Sequence, residues 1–178
     1  MPAAKLIRHP ALLLAVLYAV FVVMLVRDAG RLPERVATHF DWRGQPNGWM
    51  SSQGYLVFML VFGLVFPLIP AAICLLLRFL PDSIINLPHR DYWLAPERRG
   101  ETAGYLVRHM LWLSCMMSGL TIVLHQMTVE ANQQVPPQLS DAVWVYLAVF
   151  LVGVFLWMFA LVRHFRLPKA NPKRPLSA

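Results

Sequence analysis

Four long apolar blocks, separated by polar segments, dominate the pattern of hydrophobic and polar positions along the chain. A helix needs about 20 apolar residues to cross the hydrocarbon core of a bilayer. Only the first block is shorter than this, and Arg8 and Arg27 at its ends can extend it by snorkelling. The pattern predicts an all-α membrane protein with four transmembrane helices, spanning about residues 9–27, 55–78, 105–127 and 142–163.

A cleaved signal peptide is the alternative interpretation of the first block, because Lys5 and Arg8 precede an apolar run. Cleavage near Ala29 would place Arg27 at a position where a small residue is required. We therefore expect the first helix to be retained, so that residues 1–166 form one four-helix transmembrane domain.

The second block is interrupted by Gly63, Pro67 and Pro70. Pro67 has no N–H group to donate to the carbonyl of residue 63, and its ring crowds the preceding helical turn. These residues predict a kink in the middle of the helix. The kink serves either simple packing or, as the alternative, a gating hinge.

A polar stripe runs along the third block at spacings of four, three and four residues, formed by Ser114, Ser118, Thr121 and His125. Such spacings place the four side chains on one helical face. Because polar groups in hydrocarbon need partners, we expect this stripe to face the interior of the helix bundle. Helix–helix hydrogen bonding is the simpler interpretation, and a polar path for a proton or small solute is the alternative.

The segment between the first two blocks, residues 28–54, is predicted to be a structured loop outside the membrane that contains a short strand or hairpin. Residues 36–41 alternate like a short strand, and residues 43–48 are rich in turn formers. His39 and Asp41 would then share one face of the strand. They could begin a metal site or a proton-transfer pair, or they could simply form hydrogen bonds within a compact loop.

The composition agrees with lipid as the main environment of the chain. Hydrophobic residues make up 58% and charged residues 14%, against about 45–50% and about 25% in soluble domains. This balance excludes intrinsic disorder and argues against a soluble monomer. Cys74 and Cys115 both lie in apolar blocks, so neither a disulfide framework nor a cysteine-rich metal site is expected.

No phosphate-binding glycine loop, zinc-protease helix motif or serine nucleophile elbow occurs in the sequence. We therefore expect no cofactor and no enzymatic activity.

The basic residues are distributed unevenly between the two predicted sides of the membrane. Most flank the termini and the middle loop, residues 79–104, whereas the opposite side carries four: Arg27, Arg31, Arg35 and Arg43. The positive-inside bias therefore predicts both termini in the cytoplasm. The basic tail, residues 167–178, is expected to be a disordered anchor near anionic head groups rather than a nucleic-acid-binding segment. The middle loop is either a solvated elbow or a docking surface for a cytoplasmic partner.

The string LPERVATHFDWRGQPNGWMSS resembles the signature of a bacterial membrane family of uncharacterised function, whose domain also forms the amino-terminal part of SdpI-type immunity proteins. The likeness is carried by Leu32, Pro33, Val36, His39, Gly44, Gly48 and Trp49. Asn47 stands where members of the family commonly carry Asp. A weaker likeness continues through NLPHRDYWLAPERR, and no match to the carboxy-terminal domain of SdpI-type proteins is evident.

The resemblance implies an integral protein of the bacterial inner membrane with a shaped outward loop. SdpI-type proteins are implied to protect cells from a secreted toxin or to hold a regulator at the membrane. The candidate functional residues in the loop are His39, Asp41, Gly44, Asn47, Gly48 and Trp49.

Three functional hypotheses follow from the sequence. The first is a non-enzymatic membrane protein that binds a peptide or protein partner through the outward loop or the middle loop. The second is a small transporter or channel component that uses the polar stripe and the kink, although no Asp or Glu is expected deep in any span. The third is a membrane enzyme centred on His39 and Asp41. A homo-oligomer is compatible with the first two.

Overall fold

The computed structural model of the protein describes residues 3–76 and 79–167. Within these ranges, four helices are long and apolar enough to span a membrane: Ile7–Asp28, Ser52–Leu76, Pro96–Ala131 and Ala142–His164. They confirm the predicted four-helix fold and indicate a multi-pass membrane protein. The predicted basic tail lies outside the described residues except for Leu167, and so does Arg78.

The elements follow one another in a simple order. Helix α1 covers Ala3–Asp28, strand β1 Arg35–Phe40, strand β2 Pro46–Ser51 and helix α2 Ser52–Val65. After a 3-10 turn at Phe66–Leu68, the second span continues as α3, Ile69–Leu76. A 3-10 turn at Asp82–Ile84 and the short helix α4, Arg90–Trp93, precede the long helices α5, Pro96–Ala131, and α6, Ala142–His164.

The strands β1 and β2 form the predicted hairpin between the first two spans. They pair antiparallel, with Arg35 opposite Ser51 and Phe40 opposite Pro46. The side chain of Ser51 accepts a hydrogen bond from the backbone N–H of Gly54 at 3.1 Å, so the end of β2 also caps α2. The hairpin is therefore continuous with the second span. We call this end of the bundle the hairpin end.

The second span changes from α-helix to a single 3-10 turn where Pro67 occurs. The hydroxyl of Tyr18 in α1 donates to the carbonyl of Leu64 at 2.7 Å. A neighbouring helix thus satisfies a carbonyl beside the proline, which is how membrane helices tolerate such breaks. Phe21 of α1 packs directly on Gly63, and a Cβ at that position would overlap its ring.

Helix α5 is the centre of the bundle. It begins at Pro96, so the helix of the third span extends back through the last part of the predicted middle loop. It packs against α1, α3 and α6. A buried apolar cluster formed by Phe21, Leu25, Val36, Tyr55 and Met59 joins α1, the hairpin and α2. In contrast, no residue of α6 is buried in the described structure.

Helices α5 and α6 are tied together by two reciprocal hydrogen bonds far from the hairpin. The indole N–H of Trp157 donates to the carbonyl of His109 at 2.8 Å. Nε2 of His109 donates in turn to the carbonyl of Trp157 at 3.0 Å. At the carboxyl end of α6, the indole N–H of Trp93 donates to the carbonyl of Phe165 at 3.1 Å. The last span is therefore held by a few directional bonds rather than by burial.

Candidate functional site

A buried carboxylate terminates the first span. Asp28, the last residue of α1, has a side chain with no exposed surface. It accepts two hydrogen bonds from Arg27, at 2.9 and 2.7 Å, and a third from Nη1 of Arg31 at 2.9 Å. Both arginine side chains remain nearly half exposed. Their guanidinium groups therefore cover the carboxylate and neutralise it at the membrane boundary.

His125 of α5 meets this carboxylate from the bundle interior. Its Nε2 lies 3.4 Å from Oδ2 of Asp28, and both side chains are fully buried. Its Nδ1 lies 2.8 Å from the hydroxyl of Tyr55 in α2. A carboxylate bound by two arginines can only accept hydrogen bonds, so Nε2 is the protonated nitrogen and Nδ1 accepts from Tyr55.

Three helices thus converge on one polar centre, which we call the Asp28 cluster: Asp28, Arg27, Arg31, His125 and Tyr55. The ring of Tyr55 stacks on that of His125 with centroids 5.8 Å apart, and Phe21 meets it edge-on at 6.0 Å. The rings of Phe21 and Tyr55 keep water away from the imidazole, which strengthens the hydrogen bonds of this carboxylate–imidazole–phenol chain. It also ties the ends of α1, α2 and α5 together.

The cluster extends along the hairpin end of α5. Arg27 donates to the side-chain oxygen of Gln126 at 2.9 Å, and Gln126 donates to Glu130 at 2.7 Å. These two residues are less buried than His125. The charge of the buried centre is therefore linked to the surface by a chain of side-chain hydrogen bonds.

The hairpin is fixed to the end of α5 by Asn132. Its side-chain oxygen accepts from the backbone N–H of Ala37 at 2.7 Å, and its amide donates to the carbonyl of Ala37 at 2.9 Å. The same amide donates to the carbonyl of Thr128 at 2.8 Å. Because Ala37 has no exposed surface, this amide bridge replaces hydrogen bonds that water cannot supply.

The turn of the hairpin is fixed to the connection between α5 and α6. The carbonyl of Gly44 accepts from the backbone N–H of Leu139 at 3.0 Å. The side chain of Gln138 donates to the carbonyl of Arg43 at 2.8 Å. Gly44 has a φ of 76° and a Cβ there would overlap Leu139, so glycine is required both for the turn and for this contact.

His39 and Asp41 have separate sets of contacts in the structure. Asp41 shapes the turn, because its Oδ1 accepts from the backbone N–H groups of Arg43 and Gln45, both at 2.9 Å. His39 is exposed and lies 3.1 Å from the hydroxyl of Thr38. The strand register is irregular on both sides of His39, so the simple alternation that would align it with Asp41 is broken.

The other predicted loop residues divide between structural and exposed positions. Gly48 lies opposite His39, and a Cβ there would approach its side chain to 2.9 Å. Asn47 is exposed, and Trp49 is 41% exposed beneath the guanidinium of Arg35. Gly44 and Gly48 are therefore needed for close backbone approach, while Asn47 and Trp49 are available at the surface.

Two arginine–tryptophan pairs stand on the exposed surface of the hairpin. Arg43 lies over the ring of Trp42 at 4.5 Å, and Arg35 over that of Trp49 at 5.6 Å. Trp42 is 70% exposed and lines a small cavity of about 180 Å³ between the hairpin turn and the start of α6. Tryptophan and arginine are the residues that most often dominate the energetics of protein interfaces.

An apolar groove lies beneath the hairpin, between α2 and α5. Its volume is about 450 Å³, within the range of small-molecule sites. The residues lining it are Thr38, His39, Met50, Tyr55, Phe58, Met59, Phe62, Thr121, Leu124 and Thr128. Tyr55 therefore belongs both to the Asp28 cluster and to the wall of this groove.

All four residues of the predicted polar stripe are buried. The hydroxyls of Ser114 and Thr121 donate to carbonyls one turn back in α5, at 3.1 and 2.9 Å. Among the described residues, Ser118 Oγ and Nε2 of His125 are buried without a hydrogen-bond partner of good geometry. The polar stripe therefore ends at the Asp28 cluster. The hydroxyl of Ser118, in the middle of the stripe, has no hydrogen-bond partner among the described residues.

Within residues 3–76 and 79–167, no group of three or more His, Cys, Asp and Glu side chains is arranged to hold a metal ion. The polar centre of this part of the chain is the Asp28 cluster, and its chemistry is that of hydrogen bonding and ion pairing.

Sequence reasoning identified His125 but missed Asp28 and Tyr55. The sequence places no acid deep in a span, and Asp28 lies at the very end of α1, where the structure nevertheless buries its side chain fully. The available signal was an acid directly after an apolar block, with Arg27 beside it and Arg31 three residues further on. Such a pattern also fits an ordinary solvated helix end, so the sequence alone does not distinguish the two.

Comparison with known families shows a match within the first two spans. Residues 12–65 match the family model described as a domain of unknown function, DUF1648. A search of curated proteins and a search of solved structures each found no match. The matched segment contains most of α1, the hairpin and all of α2, and therefore includes Asp28 and Tyr55 but not His125.

Proposed function

We propose that the protein is a non-enzymatic membrane protein that binds a peptide or protein partner through the exposed surface of its hairpin. The hairpin end would face the outside of a bacterial inner membrane, with both termini in the cytoplasm. Immunity to a secreted toxin or membrane capture of a regulator, as implied by the SdpI-type resemblance, would be examples of this role.

One observation carries the proposal. The hairpin is attached to the bundle at Ala37 by Asn132 and at Gly44 by Leu139, and it holds Trp42 in the open, 70% exposed, beneath Arg43. An exposed aromatic side chain on a fixed support binds with little loss of conformational entropy. The contacts of Asp41 with backbone N–H groups favour a supporting role for that residue rather than catalysis.

The test replaces the exposed pair without disturbing the attachment points. Cells carrying the protein would be challenged with secreted peptide toxins, and Trp42→Ala and Arg43→Ala compared with the native chain. Trp112→Ala, which removes a 41% exposed indole from α5 far from the hairpin, is the matched control. We expect protection to fall with both hairpin variants at unchanged membrane level and to persist in the control. Full protection by both hairpin variants would refute the proposal.

A small transporter or channel component remains the second candidate, and the buried Ser118 hydroxyl favours it. A buried hydroxyl without a protein partner, between Ser114 and His125, is the kind of group that binds an internal water molecule. Proton flux into vesicles containing the protein would be expected to fall with Ser118→Ala. An unchanged flux, or no flux in the native protein, would exclude this role.

A further inference from the structure

The groove beneath the hairpin has an opening that is directed toward lipid rather than toward water. Phe58 and Phe62 on its α2 side are 49% and 38% exposed, and their rings stack along the helix surface with centroids 5.4 Å apart. Both belong to a predicted membrane span. Helix α6 packs against α5 rather than α2, so it does not cover this side. A ligand would therefore enter sideways from the hydrocarbon.

The hairpin closes the groove at its outer end. Thr38 and His39 of β1 and Met50 of β2 line the groove, and β2 leads directly into α2 at Ser52. From Tyr55 to Phe62 the α2 wall descends two helical turns, about 10 Å at 1.5 Å per residue. The groove is therefore elongated and runs parallel to the lipid chains, and the hairpin covers its outer end.

The polarity of the lining residues changes with depth. Thr38, His39 and Thr128 lie at the outer end, whereas Phe58, Phe62 and Leu124 lie deeper in the span. Thr121 also lies deeper, but its hydroxyl already donates to a carbonyl of its own helix. None of the described residues that line the groove is acidic, and its outer end carries the hydroxyl and imidazole side chains of Thr38, Thr128 and His39, which can form hydrogen bonds to an anionic headgroup. This arrangement complements an amphiphile with an apolar chain and a negatively charged head.

We propose that the groove is a binding site for one acyl chain of an anionic membrane lipid, whose headgroup lies beside Thr38 and His39. The chain occupies the groove between α2 and α5 and covers the inner wall formed by Met59 and Thr121. This site goes beyond partner binding by the exposed hairpin surface and does not depend on it. A lipid suits the groove better than a soluble peptide, because its hydrocarbon reaches the opening without leaving the bilayer.

The test uses the full chain in phosphatidylcholine vesicles containing a trace of phosphatidylglycerol with a photoreactive diazirine in its acyl chain. After illumination, the adducts are mapped by mass spectrometry. We expect them to concentrate on Phe58 and Leu124 rather than on Leu151 and Phe155, which are 63% and 71% exposed on α6. Excess unlabelled phosphatidylglycerol should remove the groove adducts and leave those on α6. Phosphatidylcholine carrying the same diazirine should label the groove weakly.

A variant that fills the groove provides a second arm. Leu124→Trp should reduce groove labelling about tenfold, whereas Leu151→Trp on the open face of α6 should not change it. If Leu124→Trp fails to fold, the competition experiment on the native chain decides. Adducts distributed simply by exposure would show bulk bilayer contact only, and equal labelling by both lipids would show no preference for an anionic head. Either result would overturn the proposal, while the toxin experiment on Trp42 and Arg43 would stand unaffected.

Discussion

The hydroxyl of Tyr55 lies 2.8 Å from Nδ1 of His125, and the opposite nitrogen of the same ring lies 3.4 Å from the carboxylate of Asp28. One imidazole therefore joins the second span to the first through the third. Because all three side chains are buried, this chain of contacts fixes both the tautomer of the histidine and the relative positions of the three helix ends.

Removing the hydroxyl in Tyr55→Phe should leave Nδ1 of His125 without its donor. We expect unfolding in detergent to become easier by about 1–3 kcal/mol, the usual cost of an unsatisfied buried group. In nitrogen-15 NMR spectra of the native protein with labelled histidines, His125 should show the Nε2–H tautomer. Tyr146→Phe, at a 44% exposed position on α6, should change neither measurement. An Nδ1–H tautomer in the native chain would contradict the assigned direction of the hydrogen bond.

Removing the buried charge in Asp28→Asn should destabilise the protein by about 1–3 kcal/mol, because the charge-assisted hydrogen bonds from Arg27 and Arg31 are lost at a buried site. The matched control is Asp91→Asn, whose carboxylate is 95% exposed and lies 3.5 Å from Arg90. A surface pair of this kind should cost less than about 1 kcal/mol. Chemical denaturation in micelles measures both changes, and equal losses would argue against a special role for burial.

The amide of Asn132 should control how firmly the hairpin is attached. In Asn132→Ala the backbone groups of Ala37 lose their partners, so we expect the amide hydrogen of Ala37 to exchange about tenfold faster or more. Asn47→Ala, at an exposed position on β2, is the comparison. If exchange at Ala37 were the same in both variants, the attachment of the hairpin would have to come from other contacts.

A single methyl group at Gly63 should disturb the contact between the first two spans. Gly63→Ala forces a Cβ into the ring of Phe21, and overpacking of this kind costs about 1–3 kcal/mol. Gly119→Ala has no neighbouring atom within 4 Å and should be neutral or stabilising by up to about 1 kcal/mol. Adding Phe21→Leu to Gly63→Ala should recover part of the loss, and thermal unfolding would reveal a failure of that rescue.

The indole of Trp157 should contribute to the position of the last helix. Trp157→Phe removes its hydrogen bond to the carbonyl of His109 and should cost about 1 kcal/mol. Trp144→Phe, at a 54% exposed indole of the same helix, should be close to neutral. The distance between spin labels on α5 and α6 should broaden only in the first variant, and identical distributions would exclude this role.

The fold was largely predictable because its signals are local. Each apolar block specifies a span by its own length, and the alternation around Val36 followed by turn formers specifies a hairpin. The spacing from Ser114 to His125 likewise indicates one helical face without knowledge of any other helix. These predictions need only the periodicity of the backbone.

The Asp28 cluster was less predictable from the sequence because it depends on contacts between residues that are distant in the chain. Asp28 is buried because Arg27 and Arg31 cover its carboxylate from one side and α5 brings His125 against it from the other, and no local pattern distinguishes this acid from one at a solvated helix end. Asp41 shows the reverse case. Its type and spacing suggested chemistry with His39, but its oxygen is used by the turn, and a two-residue spacing does not reveal the strand irregularity between them.

The sparse packing of α6 has a consequence for how the protein assembles. Every residue of the buried apolar cluster and of the Asp28 cluster precedes α6 in the chain. A nascent polypeptide could therefore complete this core before its final segment leaves the ribosome. The last span would then insert against a finished scaffold, which makes it the part of the molecule most tolerant of sequence drift.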